Sequence, residues 1–310
     1  MKRILLVQVF LFGIIIVKAQ QDPLLSHIFF NKVFLNPAFA GNQGDINVNI
    51  ISRQQWVGFG DGAPKTTALT INSPINILGI NSGIGFSMAN DQLGFEKNFS
   101  GSLDYAYIHS LGTGNLCFGL QLGIFNKSLD GTFLPPDGSS NDPVIPKSKE
   151  QSLIFDMGIG ALYTLNDLYI AFSSSHLTQP KFKFPTNDLN YLKRHYYLMS
   201  GYRIGIQNNP IELYPNVLVA FDGSSPQLTI NLNAVYNKKF WGGVTYRTLD
   251  AIDLNVGIEL FNGIKIGYAY GLNFSKLIKT NTGSHEVMLG YNFNLGFDKA
   301  PQKYRSVRFL

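Results

Sequence analysis

The sequence predicts an all-β protein, a transmembrane antiparallel up-and-down β-barrel of about fourteen strands. Three observations predict this fold: apolar and polar residues alternate along most of the chain, the polar face carries few charges, and the N-terminus has the features of an export signal. Only 15% of the 310 residues are charged and 45% are hydrophobic. Soluble domains average about 25% charged residues, so the composition itself argues against an ordinary soluble fold.

The alternation is clearest in the C-terminal half, over residues 227–237, 253–260 and 286–295. In the first of these segments Leu228 and Ile230 alternate with Thr229 and Asn231. Successive side chains of a strand point to opposite faces, so each segment has one apolar face and one polar or small face.

Two architectures produce such alternation. A soluble sandwich buries the apolar face and exposes the other to water, whereas a transmembrane barrel turns the apolar face to lipid and the polar face to its lumen. Here the second face is mostly Gly, Asn, Ser and Thr rather than Lys and Glu. Tyr and Phe also cluster towards the ends of the segments, as an aromatic girdle would. These features favour the barrel.

Fourteen segments approach the roughly ten residues that a spanning strand requires. An even number puts both termini on the periplasmic side and the long links 129–151 and 177–193 outside. The predicted strands are 45–53, 66–73, 82–91, 99–110, 115–128, 152–165, 167–176, 194–207, 212–222, 227–237, 240–248, 251–260, 264–274 and 284–295.

The N-terminus predicts a secretory signal peptide over residues 1–19, with a basic start, an apolar run and small residues at the cleavage point. The apolar run of about 14 residues is short of the roughly 20 that a membrane helix needs. The predicted organisation is therefore the signal, a lead-in segment at 20–44, the barrel at 45–297 and a basic periplasmic tail at 298–310. The expected location is the outer membrane.

The lead-in segment has two predicted forms. Apolar residues between Pro23 and Asn36 have a spacing that suits a short amphipathic helix packed in the periplasmic mouth or lumen. An extended lead-in is the alternative, because about twelve residues make a marginal helix.

Charge and motifs exclude several classes of function. Without the signal the chain has 22 basic and 20 acidic residues, so no nucleic-acid footprint is visible. The single Cys117 excludes an internal disulfide framework. The five histidines are scattered, and no HExxH, CxxC, GxSxG or phosphate-loop motif occurs. We therefore expect no enzyme activity, no cofactor and no metal.

Inward-facing charges are the first group of candidate site residues. They are interpreted as a buried network that braces the barrel, with an ion selectivity filter as the alternative. The group is Asp104, Asp156, Arg203, Arg247, Glu259, Lys265 and Glu286.

A second group of candidates concerns partners. Trp56, near the end of the first strand, is predicted to be an interface anchor or a partner contact. The basic tail is predicted to be either a disordered end or a docking segment for a periplasmic partner, through Arg305, Arg308 and Phe309.

Two motifs carry a resemblance to a known family. The first runs QDPLLSH at 21–27, FN at 30–31 and NPAFAG at 36–41, and the second runs RQQWVG at 53–58 and GAPKT at 62–66. Together they resemble the PorP/SprF family of Bacteroidota outer-membrane proteins. His27 departs from the Gln expected there. Shorter similarities extend the resemblance over the mature chain, at 83–85, 90–94, 285–287, 291–293 and 304–309.

The resemblance implies a component or accessory of the type IX secretion system. Such proteins support export or surface retention of large secreted proteins, including gliding adhesins. The implied partners are outer-membrane lipid, type IX secretion components on the periplasmic side and a large secreted cargo protein. The alternative that the barrel itself leaves open is a passive diffusion channel.

Overall fold

The structure is a computed structural model, which describes residues 22–23, 25–130, 148–184, 191–274 and 280–293. The predicted signal peptide lies outside the described residues. So does the predicted tail, with Arg305, Arg308 and Phe309.

In the described part of the chain, fifteen strand segments form one antiparallel sheet. Their bounds are β1 (Ile46–Gln54), β2 (Lys65–Ile77), β3 (Ile80–Leu93), β4 (Glu96–Leu111), β5 (Gly114–Leu129), β6 (Glu150–Leu165), β7 (Leu168–Ser175), β8 (His195–Tyr202), β9 (Ile204–Gly205), β10 (Ile211–Phe221), β11 (Pro226–Tyr236), β12 (Phe240–Arg247), β13 (Ala251–Glu259), β14 (Ile264–Asn273) and β15 (Ser284–Phe293).

Strands β8 and β9 act as one spanning strand, because both pair with β10 and only Arg203 separates them. The sheet therefore has fourteen spanning strands, which confirms the predicted number. The sequence predicted this strand as one continuous segment at 194–207. Strands β2 and β3 are longer than predicted, because their pairing continues past Ser73 and Pro74 to Ile77 and Ile80.

The sheet closes on itself. Strand β1 pairs with both β2 and β15, and β10 pairs with β11, so the order around the sheet has no free edge. Each strand otherwise pairs with its neighbours in sequence, which is the up-and-down arrangement. Closure satisfies the backbone hydrogen bonds of every strand, as a sheet surrounded by hydrocarbon requires.

Apolar side chains point outwards and polar ones inwards, the reverse of a soluble protein. On β13, Leu254 and Val256 are exposed while Asp253 and Asn255 are buried. On β6 the outward Phe155 is 80% exposed. The alternation read from the sequence therefore separates a lipid-facing surface from a polar lumen, as in outer-membrane barrels.

The two ends of the barrel differ in their connections. One end, here the short-turn end, carries links no longer than 206–210, among them 78–79, 112–113 and 166–167. The other, the long-loop end, carries the links 55–64, 130–149, 176–194 and 274–283. The start of β1 and the end of β15 both lie at the short-turn end. In bacterial barrels the short turns are periplasmic. The periplasmic location of both termini stays a prediction.

The N-terminal segment, of which residues 22–23 and 25–45 are described, lies in the lumen, and we call it the plug. It forms neither the predicted amphipathic helix nor a fully extended lead-in, but three single 3-10 turns at Ile28–Phe30, Lys32–Phe34 and Pro37–Phe39. Asn36 caps the third turn by accepting a hydrogen bond from Ala38 N at 2.9 Å. Contacts on all sides, rather than a single apolar face, determine this shape.

A fourth 3-10 turn, Phe261–Gly263, lies at the short-turn end. Among the described residues, no helix has the length and apolar character needed to cross a membrane.

Candidate functional site

The lumen is filled by an apolar core that the plug and the inner wall share. Leu25, Ile28 and Ala38 of the plug are at most 2% exposed. They pack in one cluster with wall residues such as Ile51 and Met199. Burying an aliphatic side chain fully is worth about 1.5–3 kcal/mol, so this cluster holds the plug firmly in place.

Glycines of the inner wall make room for the plug. A Cβ added at Gly83 would overlap the carbonyl oxygen of Ala40, and one at Gly119 would overlap Ala38 N. A Cβ at Gly160 would overlap the Asn36 side chain. The recurrence of glycine on the polar face thus has a structural reason: these positions let the plug approach the wall backbone closely.

Valine at Gly160 is expected to displace Asn36 and destabilise the barrel by about 1–3 kcal/mol, the usual cost of overpacking. The measurement is urea unfolding in detergent micelles, together with proteolysis of the plug. Gly101→Val is the matched control, because its added Cβ would meet only the Phe99 ring, at 3.9 Å. Equal stability of the two variants would contradict a tightly seated plug.

Hydrogen bonds join the plug to the wall across the lumen. Asn36 Nδ2 donates to the carbonyl oxygens of Ala161 at 3.3 Å and Phe172 at 3.1 Å. Ser173 Oγ donates to Leu35 O at 2.7 Å. Because Asn36 reaches β6 and β7 together, the NPAFAG motif has a direct structural role in fixing the plug.

A first charged group, here the arginine cluster, joins Ser26 and His27 of the plug to Arg53, Arg247, Asp253 and Glu286 of the wall. Glu286 accepts hydrogen bonds from the backbone N–H groups of Ser26 and His27, each at 2.7 Å, and contacts His27 Nδ1 at 2.7 Å. Arg53 Nη1 lies 3.2 Å from the same carboxylate. One wall carboxylate therefore holds the start of the plug.

The arginine cluster extends along the wall through Asp253. Its carboxylate accepts from Ser26 Oγ at 2.7 Å and from Arg247 Nη2 at 2.9 Å. Arg247 Nη1 also pairs with Asp250 at 2.9 Å. Two buried guanidinium groups thus face two buried carboxylates. Removing any one of these four charged groups would take a partner from a buried opposite charge.

A second group, here the histidine cluster, contains Asp22, Asp156, His176, His195 and Tyr197. His176 Nδ1 lies 2.7 Å from Asp156 Oδ2, and His176 Nε2 lies 3.2 Å from both carboxylate oxygens of Asp22. Tyr197 donates to Asp22 at 2.8 Å. Burial lowers the pKa of the His176 imidazole, but Asp22 and Asp156 outweigh it and raise that pKa to about 10.

A cavity of about 310 Å³ separates part of the plug from the wall. Its lining includes Asp22, His176 and His195, together with Phe34 of the plug and Phe182 of the long link after β7. The histidine cluster therefore borders open space towards the long-loop end, whereas the arginine cluster is enclosed.

The structure brings four of the seven predicted lumen charges into the lumen. Glu286 and Arg247 belong to the arginine cluster and Asp156 to the histidine cluster. Asp104 is buried apart from both, accepting from Gln121 at 3.0 Å and from Ser87 at 3.4 Å.

The other three lie at the rim of the short-turn end instead. Arg203 is 51% exposed in its side chain and pairs with Asp167 at 2.6 Å. Lys265 and Glu259 form a partly exposed pair at 3.6 Å. Strand parity predicted that these side chains point into the lumen. At the short-turn end the inner face of the barrel is no longer covered by the plug, so these charges are exposed to water and pair at the rim.

Trp56 lies at the start of the long link after β1. It has a positive φ of 54°, its backbone N–H donates to Ser284 Oγ at 3.4 Å, and its ring packs edge-on against Phe59. It is therefore half-buried at the long-loop end, and both predicted roles, interface anchor and partner contact, stay predictions.

Sequence reasoning missed Asp22, His176 and His195 as a group, and also Arg53 and Asp253. The two wall charges had a usable signal, because Arg53 shares strand parity with the polar Asn49, and Asp253 with the polar Asn255. The group of Asp22, His176 and His195 had none, because these residues meet only through the β7–β8 pairing and the position of the plug.

Comparison with known structures agrees with the barrel. The toluene transporter TbuX of Ralstonia pickettii is 10% identical, with a TM-score of 0.50 over 84% of this chain and 92% of TbuX. Omp33 of Acinetobacter baumannii is 6% identical, with a TM-score of 0.48 over 81% of this chain and 98% of Omp33. At 10% identity the similarity to TbuX concerns the fold alone.

Comparison with sequences gives the family. No curated protein matches the chain. The model of the PorP/SprF family, described as a type IX secretion system membrane protein, matches residues 17–291. That range includes the whole plug and nearly all of the barrel, in agreement with the resemblance of the two N-terminal motifs. The chain belongs to the PorP/SprF family of type IX secretion system membrane proteins and is an outer-membrane β-barrel.

Proposed function

We propose that this protein is a plugged accessory barrel of the type IX secretion system that supports export or surface anchoring of a secreted protein, such as a gliding adhesin. The observation that carries the proposal is the plug, whose apolar side chains form one buried core with the wall. A barrel with a filled lumen suits docking and anchoring better than passage of solutes. That the process is type IX secretion is inferred from the family to which the chain belongs.

In this proposal the short-turn end, with both termini, faces the periplasm and the secretion machinery. The long-loop end faces the surface and the cargo. The difference in link length between the two ends supports this orientation. A passive diffusion channel is the alternative function, and it requires a continuous aqueous path where the plug now packs.

The orientation and the partners can be tested together by photocrosslinking in the native host. A crosslinking amino acid at Trp56 samples the long-loop end, and one at Leu78, which is 97% exposed, samples the short-turn end. We expect Trp56 to capture a large secreted protein and Leu78 to capture secretion components. Mass spectrometry of the crosslinked species is the measurement.

Deletion of the gene tests the function directly, with the surface proteome as the measurement. We expect one or a few surface proteins to disappear from the cell surface, while other outer-membrane proteins keep their amounts. An unchanged surface proteome, together with no protein captured from Trp56, would contradict the proposal and favour the channel.

A further inference from the structure

Three potential metal ligands converge on the wall of the lumen cavity. His176 follows β7 directly, His195 begins β8, and Asp22 is the first described residue of the plug. One ligand atom from each of the three lies within 4.8 Å of the other two. The strand pairing is the reason for this proximity, because Ser175 is opposite His195 in the β7–β8 register.

Both imidazole rings are held in the way that metal-binding histidines usually are. A ligating histidine commonly donates its other ring N–H to a carboxylate or a backbone carbonyl. His176 Nδ1 lies 2.7 Å from the Asp156 carboxylate, and His195 Nδ1 lies 3.0 Å from the carbonyl of Lys193. The nitrogens that remain for an ion are His176 Nε2, which faces the Asp22 carboxylate, and His195 Nε2.

An unpartnered nitrogen is an independent sign of a missing ligand. The His195 side chain is 5% exposed. Its Nε2 is buried and has no hydrogen-bond partner among the described residues. Buried polar atoms normally have a partner, so this nitrogen needs one.

The spacing and the donor types suit a transition metal. Ligand atoms about 2.1 Å from a tetrahedral ion lie about 3.4 Å apart. Here His176 Nε2 is 3.2 Å from Asp22 and His195 Nδ1 is 3.9 Å from it. One ligand atom from each of the three residues lies within 4.8 Å of the other two, so a small inward movement of the side chains would reach this spacing. Two imidazoles and one carboxylate favour Zn²⁺ and its neighbours over Ca²⁺ or Mg²⁺, which prefer oxygen ligands. The cavity leaves room for water as a fourth ligand.

We propose that Asp22, His176 and His195 bind a divalent transition-metal ion of the Zn²⁺ type, which clips the start of the plug to strands β7 and β8. This metal site lies across the barrel from a second attachment of the plug. Ser26 and His27 are already held by Glu286 on β15. With the ion bound, the first residues of the plug are fixed to two parts of the barrel wall.

The test uses the full mature chain without an affinity tag, folded in detergent, stripped with EDTA and titrated with Zn²⁺ by calorimetry. We expect one ion per barrel. Co²⁺ should give the visible absorption of a tetrahedral site. His195→Gln should weaken Zn²⁺ binding by about a hundredfold or more, and Asp156→Asn, which changes only the outer partner, by about 10–100-fold.

His109→Ala is the matched control, because His109 stacks on Tyr107 away from the cluster and its loss should leave Zn²⁺ binding unchanged. Heat-modifiable gel migration shows that each variant is folded. Zn²⁺ should raise the Tm of the wild type and of His109→Ala but not of His195→Gln. The absence of stoichiometric binding by the folded wild type, or equal binding by His195→Gln, would overturn the proposal and leave the cluster as ion pairs alone.

Discussion

Replacing Glu286 with alanine is expected to destabilise the folded barrel by about 3–5 kcal/mol, the cost of removing one partner from a buried charge pair. The carboxylate is fully buried. It accepts from Ser26 N and His27 N of the plug and pairs with Arg53. Its removal leaves a buried guanidinium without its nearest carboxylate and frees two plug N–H groups. Urea unfolding in micelles, followed by tryptophan fluorescence, measures the change.

Glu259→Ala is the control for this prediction, since it removes the same side chain from a partly exposed pair with Lys265 at the rim. Exposed pairs contribute about 0–1 kcal/mol. Removing Arg53 as well as Glu286 should restore part of the lost stability, because the unpaired charge goes with it. If Glu286→Ala and Glu259→Ala unfold at the same urea concentration, the arginine cluster does not hold the plug.

The barrel was predictable from sequence because the residues of a spanning strand alternate according to the two environments that the strand faces. Lipid on one side and lumen on the other impose the period of two, and residues such as Leu254 and Asp253 record it directly. The breaks between strands were less visible. The pairing of β2 runs on through Pro74, where the alternation has already stopped, and Arg203 interrupts a strand that the pattern left continuous.

The plug was only partly predictable, because its conformation depends on the wall around it. The apolar residues between Pro23 and Asn36 indicated burial and a place in the mouth or lumen. Their spacing also suited a helix, but the chain folds into short 3-10 turns whose neighbours come from several strands. The glycines of the inner face were visible in the sequence, whereas their role in accommodating Ala38 and Ala40 needs the structure.

Deleting residues 22–41 is expected to convert the barrel into an open channel. The deletion removes the apolar core of the plug and leaves a lumen lined by polar side chains such as Asn49 and Thr70. A barrel of about this size without a plug holds an aqueous channel, since strand number sets its diameter. In planar bilayers we expect the wild type to conduct weakly and the deletion variant to conduct at least about tenfold more.

A disulfide that locks the plug in place tests whether the plug is a static seal or one that opens. Cys117 Sγ lies 3.8 Å from Asn42 Oδ1, at the end of the plug, so Asn42→Cys brings a second thiol close to the native one. Oxidation should tie the plug to β5 and abolish any residual conductance, and the same variant with Cys117→Ser should behave like the wild type. The wild type could instead conduct strongly, with neither the lock nor the deletion altering its conductance. Ions would then pass beside the plug, and the diffusion-channel hypothesis would replace the anchoring hypothesis.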